Sequence, residues 1–238
     1  MPFDLPAQDD KPAYVRAMFD RISGAYDRVN DLMTAGRHRA WKRTMIRLVR
    51  TRPGGRYLDL CTGTGDIAFL LAIAAQSPGA VTAVDFSPGM LEQAMKRPWN
   101  GPEIAWRQGD AEHLPFEDAT FDGVTVGFGL RNVRDLDRAI AEIRRVLKPG
   151  GRFVSLDLGK PRTRALRWGA EVYEYRVVPL LGSMVSGDRS AYEYLPHSNS
   201  RFPDQRELAR RLQAQGFTDV EVRDRMLGAV ALVSGTAQ

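Results

Sequence analysis

The sequence predicts an α/β protein with a mostly parallel sheet, helices on both faces, an antiparallel C-terminal hairpin and an N-terminal helical cap. Three observations carry this. Short apolar runs alternate with segments of helical period through the middle of the chain. A glycine turn follows the first run, and two apolar runs close the C-terminus with no helix between them.

Residues 1–12 read as a loose arm. From Tyr14 to Val49 apolar residues recur at helical spacing, at Val15, Met18 and Phe19 and again at Met45, Ile46 and Val49. Residues 1–50 are therefore expected to form an arm and a helical cap. After Pro53-Gly54-Gly55 the period changes. Tyr57 to Leu60 reads as a buried strand, Ile67 to Ala75 as a helix and Ala80 to Val84 as a strand. Met90 to Met95 follows as helix, Ile104 to Arg107 and Phe121 to Val126 as strands, Leu136 to Leu147 as helix and Arg152 to Leu156 as strand. This βαβα order implies parallel pairing through right-handed crossovers. Asp204 to Gln213 reads as the last helix. The runs Val220 to Val222 and Ala229 to Val233 then make a hairpin about Arg223 to Gly228. Seven strands in residues 51–238 suit a single structural unit, with an insertion at about 160–203 covering a substrate.

Bulk composition narrows the function classes. A chain of 238 residues supports one core. No apolar run approaches the roughly 18 residues needed to cross a bilayer, and the start lacks a basic segment followed by an apolar one. The expectation is a soluble, cytoplasmic protein. The single cysteine, Cys61, excludes an internal disulfide and a thiolate metal cluster, so no metal is expected. The net charge of +5 is spread over many arginines, as in a solvated face, and also suits an anionic partner.

The segment Asp59-Leu60-Cys61-Thr62-Gly63-Thr64-Gly65-Asp66 places a strand end, a glycine turn and a helix start in succession. Gly63 and Gly65 let backbone approach a ligand closely at the carboxyl end of a strand. Asp85 ends the second strand 20 residues after Gly65, where a carboxylate accepts from both hydroxyls of a ribose. A nicotinamide dinucleotide and S-adenosylmethionine share that ribose, so these residues alone leave both open. The tie breaks downstream. Gly109-Asp110-Ala111-Glu112-His113-Leu114-Pro115-Phe116 after the third strand, Phe121-Asp122 opening the fourth and Leu147-Lys148-Pro149-Gly150-Gly151 before the fifth resemble class I S-adenosylmethionine-dependent methyltransferases.

That resemblance implies a Rossmann-like seven-stranded fold with S-adenosylmethionine as co-substrate. It also implies roles: Asp110 on the adenine amino group, Ala111 beside the ring, Phe86 and Met90 against the adenosine, and Asp59 near the methionine ammonium. Gly63, Thr64, Gly65, Asp85 and Gly127 complete the implied cofactor set. Asp59 serves equally as an anchor for the glycine loop, and Phe86 and Met90 equally as core.

Two further segments resemble the signatures of the menaquinone and ubiquinone biosynthesis C-methyltransferases. They are Tyr26-Asp27-Arg28-Val29-Asn30-Asp31 with His38-Arg39-Ala40-Trp41, and Arg145 through Gly151 continued to Asp157. The likeness extends through Phe128-Gly129-Leu130-Arg131-Asn132-Val133 and Tyr194-Leu195-Pro196. It departs at Asp157, where glutamate is expected, and at Gly159 and Gly127, where serine occurs. The implied activity is methyl transfer to a ring carbon of a polyprenylated quinol, demethylmenaquinol foremost and a ubiquinone-pathway quinol as the alternative.

A sulfonium methyl is already electrophilic and a carbon ortho to an ionised hydroxyl already nucleophilic, so the protein has to position and stabilise. Arg131 is expected to face the quinol oxygen, stabilising it or removing its proton through a water, with Tyr26 and Asn132 orienting the ring. Asn30, His38, Trp41, Tyr194 and His197 are expected at the substrate. His38 and Trp41 share a helix face, which serves packing as well as contact. His197, read as lying in a loop, is the alternative base. The segment Val172 to Tyr194 and the N-terminal helices should wall an apolar pocket. A prenyl tail implies transient contact with the inner face of a membrane through the basic surface, and a homodimer is compatible with the chain.

Nucleic acid is not an expected partner. Carbon methylation of a pyrimidine asks for a cysteine nucleophile in the substrate pocket, whereas Cys61 lies in the cofactor loop. Amino methylation asks for a motif that Gly127-Phe128-Gly129-Leu130 does not match. Another small-molecule methyltransferase, a catalytically silent cofactor-binding scaffold and a dehydrogenase are the remaining rivals.

Overall fold

The computed structural model describes residues 6–238. Three helices precede the sheet: α1 (Lys11–Ile22), α2 (Tyr26–Thr34) and α3 (His38–Val49). Pro12 sits in the first turn of α1, where a missing amide hydrogen costs nothing. The helix thus begins inside the segment expected to be a loose arm. The first five residues of that arm lie outside the described residues.

The central alternation runs β1 (Tyr57–Leu60), α4 (Asp66–Ala75), β2 (Val81–Asp85), α5 (Pro88–Lys96), β3 (Ile104–Gln108), β4 (Phe121–Gly127), α6 (Leu136–Val146) and β5 (Leu147–Leu158). Ser87 and Asp135 cap α5 and α6 by accepting from the Met90 and Arg138 amides. Leu147, expected as helix, opens β5 instead. It pairs with Phe121, and the ladder resumes only at Gly123 with Arg152, so Lys148 to Gly151 bulge out. Gly150, at φ +79°, supplies the left-handed residue that this bulge requires.

The inserted segment is mainly helical. A continuous rod, α7 (Arg164–Val172), a π turn (Tyr173–Val177) and α8 (Val178–Ser186), is followed by α9 (Arg189–Arg201). After α10 (Gln205–Ala214) come β6 (Phe217–Arg225) and β7 (Val230–Ala237). The sheet order is β3-β2-β1-β4-β5-β7-β6. The hairpin does not simply add two strands to the edge: β7 inserts between β5 and β6, antiparallel to both, and is the one reversed strand.

Two apolar layers cover the sheet. Trp41, Met45, Leu71 and Ala72 of α3 and α4 pack one side. Ile140, Ile143, Leu208 and Leu212 of α6 and α10 pack the other. A third cluster binds the cap to the insertion: Met18, Val29, Met90, Val178, Tyr192 and Tyr194 meet above the carboxyl ends of the strands. Strand order reverses at β1 and β4, and an open α/β sheet leaves its crevice at such a switch point. No helix among the described residues is long and apolar enough to cross a membrane.

Candidate active site

Four strand ends converge on the crevice: Cys61 to Gly65 after β1, Asp85 to Ser87 after β2, Gly109 to Glu112 after β3 and Gly127 to Gly129 at β4. They enclose a narrow cavity of about 90 Å³, roofed by Pro12, Val15, Arg16 and Phe19 of α1. Asp85 is its most informative group. Its carboxylate accepts from the Gly63 amide at 2.7 Å and the Ser87 amide at 2.9 Å. Burial pushes its pKa up to about 6 despite these bonds. Gly63, Asp85, Phe86, Met90, Asp110, Ala111 and Gly127 all line this cavity. A Cβ at Gly127 would stand 2.4 Å from Ile67 Cδ1, so a serine at this position requires that side chain to shift.

Three expected cofactor residues stand behind the lining rather than in it. Asp59 is fully buried under the loop, accepting from Thr62 Oγ1 at 2.5 Å and Thr125 Oγ1 at 2.7 Å. It anchors the turn, and burial raises its pKa to about 7. Thr64 Oγ1 donates to Asp27 of α2 at 2.6 Å. At Gly65, with φ +87°, a Cβ would stand 2.7 Å from the Trp106 ring. These residues shape the loop that lines the cavity.

The cap is bolted to the same loops by groups that sequence periodicity does not reveal. Asp20 of α1 accepts from Ser87 Oγ at 2.6 Å and the Gly89 amide at 2.9 Å. Lys42 of α3 pairs with Asp66 at 2.8 Å. Lys11 Nζ donates to the carbonyls of Val133 at 2.6 Å and Arg131 at 3.1 Å.

A second cavity of about 600 Å³, mostly apolar, lies between the cap and the insertion. Phe19, Tyr26, Phe128 and Asn132 line both cavities, so the two meet there. Arg131, Asn30, His38, Trp41 and Tyr194 line the larger one. The insertion contributes Tyr173, Glu174, Val178 and Tyr192, within the segment expected to form a wall. His197 does not join them. It lies within α9, not in a loop, with its ring edge-on to Tyr175 at 5.3 Å between centroids, and is absent from the cavity lining.

The charge at the junction is balanced. Arg131 Nη1 donates to Asp157 Oδ1 and to the Phe128 carbonyl, both at 2.7 Å, with both side chains buried. Burial works against the guanidinium charge, and the Asp157 carboxylate more than offsets it, so Arg131 stays protonated. Asp157, the position where glutamate was expected, thus holds the arginine. Gly159, the other departure, approaches the Gly228 carbonyl so closely that a Cβ would stand 2.5 Å from it.

Several residues of the large cavity carry buried polar atoms with no partner in the protein: Arg131 Nε, Asn132 Oδ1, His38 Nδ1 and the hydroxyl of Tyr194. Buried polar groups are ordinarily satisfied. A set of orphans around one apolar cavity suits a ligand that is mostly apolar and bears polar substituents.

Comparison with known proteins bears directly on this geometry. Residues 7–237 match the model of the ubiE/COQ5 methyltransferase family. The chain belongs to that family. It is 41% identical to the demethylmenaquinone methyltransferase of Desulfitobacterium hafniense (strain Y51), over 95% of this chain and 90% of that one. It is equally similar to the ubiquinone/menaquinone biosynthesis C-methyltransferase UbiE of Paracoccus denitrificans (strain Pd 1222), 41% over 98% and 94%. The 2-methoxy-6-polyprenyl-1,4-benzoquinol methylase of Dictyostelium discoideum mitochondria is 35% identical over 98% and 84%. Among solved structures, a SAM-dependent methyltransferase of Thermotoga maritima superposes with TM-score 0.65 at 22% identity, covering 94% of this chain and 99% of that one. At that identity the likeness establishes the fold alone. This family member is an S-adenosylmethionine-dependent C-methyltransferase with the class I methyltransferase fold.

The narrow cavity suits that co-substrate. Its lining carries the carboxylates of Asp85 and, two residues beyond β3, Asp110, with Phe86 and Met90 as apolar walls.

Proposed function

We propose that the protein methylates a ring carbon of a polyprenylated quinol, with demethylmenaquinol as substrate and menaquinol as product. The observation that carries this is the junction of the cavities. The narrow one offers S-adenosylmethionine the carboxylates of Asp85 and Asp110, and the apolar one meets it at Tyr26, Phe128 and Asn132 with Arg131 alongside. When bound, S-adenosylmethionine supplies an electrophilic methyl group. Tyr26 and Asn132 orient the quinol ring, and Arg131, held by Asp157, donates toward the ring oxygen as it gains charge. Cover from α1, α2 and the insertion keeps water from the reacting carbon.

The substrate's tail places the enzyme at the cytoplasmic face of a membrane in this reading. Helix α7 has polar and apolar sides yet buries no residue. Trp168, Leu180 and Met184 on the rod α7–α8 are exposed, as is Leu227 at the rim of the large cavity, with exposed Arg162, Arg164 and Arg167 nearby in sequence. Apolar side chains flanked by arginines suit an anionic lipid surface. Flotation with phosphatidylglycerol vesicles should carry the wild type up and leave W168E/M184E below; a wild type that stays below removes the docking reading.

The test of the activity is turnover of methyl-labelled S-adenosylmethionine with reduced demethylmenaquinol and, in parallel, a ubiquinone-pathway quinol. Label on the ring carbon of demethylmenaquinol is the expected result. Transfer only to the other quinol reassigns the substrate, and transfer to neither overturns the reading.

A further inference from the structure

Resting on quinol methylation, proton balance asks for one more group. As the ring carbon attacks, a carbon–carbon bond forms to the methyl, and the methyl–sulfur bond breaks with its electron pair left on sulfur. The quinol and the sulfonium give the methylated quinol, a neutral thioether and one proton. The hydroxyl beside the attacking carbon must lose its proton for the carbon to become strongly nucleophilic.

Most polar groups around the large cavity are unsuited to take it. Arg131 is held protonated by Asp157, and Lys42 is tied to Asp66. Tyr192 and Tyr194 are pushed up to about 12 by burial, so neither is ionised near neutral pH. His38 has Nε2 bound to Asp31 Oδ1 at 2.7 Å and Nδ1 buried without a partner, which makes it a rival acceptor. One carboxylate lines the cavity among the described residues, that of Glu174.

Glu174 is placed with care. It stands on the π turn that interrupts the rod α7–α8, a feature that displaces side chains from their helical positions and recurs at functional sites. Tyr173 Oη donates to the Met33 carbonyl at 2.6 Å, tying this turn to α2. Asn199 of α9 donates through Nδ2 to both carboxylate oxygens, at 2.9 and 3.2 Å, and is itself buried with Oδ1 unpartnered. One side-chain amide on a half-buried carboxylate leaves lone pairs free to accept.

We propose that Glu174 is the proton acceptor for the quinol hydroxyl, with Asn199 as its positioning residue. The carboxylate takes the O–H proton as the ring carbon attacks, leaving the oxygen charge to Arg131. Once the ring C–H proton departs to water, Glu174 returns its proton to the ring oxygen, and a single proton is released overall. The charges acting on Glu174 are Arg131 and Lys160, which favour its ionised form, and Glu171, which opposes it. Burial is the largest influence and raises its pKa, which makes the carboxylate a better base.

The test compares wild type with Glu174→Gln, which keeps the shape and the Asn199 contact. Expected are a fall in kcat of about 100-fold with reduced demethylmenaquinol, S-adenosylhomocysteine affinity within threefold of wild type, and loss of the acid limb of the kcat–pH profile. Glu174→Ala should recover turnover with added formate, a small carboxylate that rescues a missing base but not a collapsed wall. Asn199→Ala should shift the acid limb to higher pH, because it removes a hydrogen bond that favours the ionised form. Glu174→Gln turning over within threefold of wild type with its acid limb intact overturns the assignment alone. Wild type inactive on every quinol overturns the quinol reading and this assignment with it.

Discussion

Replacing Gly89 by alanine tests the way the cap is fastened. Gly89 lies in the first turn of α5, at ordinary helical backbone angles, so intrinsic propensity favours alanine there by about 1 kcal/mol. The tertiary structure opposes this. A Cβ at Gly89 would lie 2.9 Å from Asp20 Oδ1 and 3.1 Å from Asp20 Cα, so the backbone of α1 itself must move. Moving it strains the two bonds that Asp20 accepts from Ser87 Oγ and the Gly89 amide. Hydrogen bonds to a charged group contribute about 1.5–3 kcal/mol each. Losing one or both outweighs the propensity gain, and the expected net change is a destabilisation of about 2 kcal/mol. Urea unfolding of the full chain measures it. Because α1 roofs the narrow cavity, S-adenosylhomocysteine affinity should fall as well. A Gly89→Ala protein more stable than wild type, with unchanged affinity, would refute the view that this contact holds the cap on the cofactor site.

Asp85→Asn should weaken S-adenosylhomocysteine binding by about 2 kcal/mol, roughly 30-fold. Wild-type affinity should decline as pH falls through about 6, where the carboxylate gains a proton, while the variant shows no such decline in calorimetry. Asp66 is held down at about 2, where burial opposes its charge but Lys42 and Arg97 prevail. A depressed carboxylate contributes stability above its unfolded value near 4 that is lost as pH falls toward 2. Asp66→Asn should therefore cost about 2 kcal/mol at pH 7 and little at pH 2, and an equal cost at both would count against the pair. Gly127→Ala should destabilise through overlap with Ile67 Cδ1, and adding Ile67→Val, which deletes that atom, should restore part of the loss; strictly additive effects would disprove the contact.

The order of strands and helices was legible in the sequence because each element buries one face, and burial writes its period into the chain. Elements of mixed character escaped it. Leu147 continues the apolar pattern of α6, yet the sheet claims it, since pairing with Phe121 satisfies a backbone that another helical turn would leave exposed. The rod α7–α8 gives little inward signal because α7 buries nothing. His197 looked like a loop residue because Pro196 precedes it, and α9 accommodates that proline within the helix.

The sequence by itself determined the crossover topology, the glycine turn, the carboxylates at the ends of β2 and β3 and the family to which the motifs belong, because these are local features at fixed spacing. Only the tertiary structure decided what each carboxylate does. Asp59 and Asp85 are close in type and position along their strands, but one is sealed under its loop by two threonines while the other faces a cavity. Asp20 and Glu174 carry no motif that would single them out, and the signature that reaches Asp157 does not show what Asp157 holds. Their roles arise from partners 67, 26 and 25 residues away in sequence, and a contact between distant segments leaves no period to read.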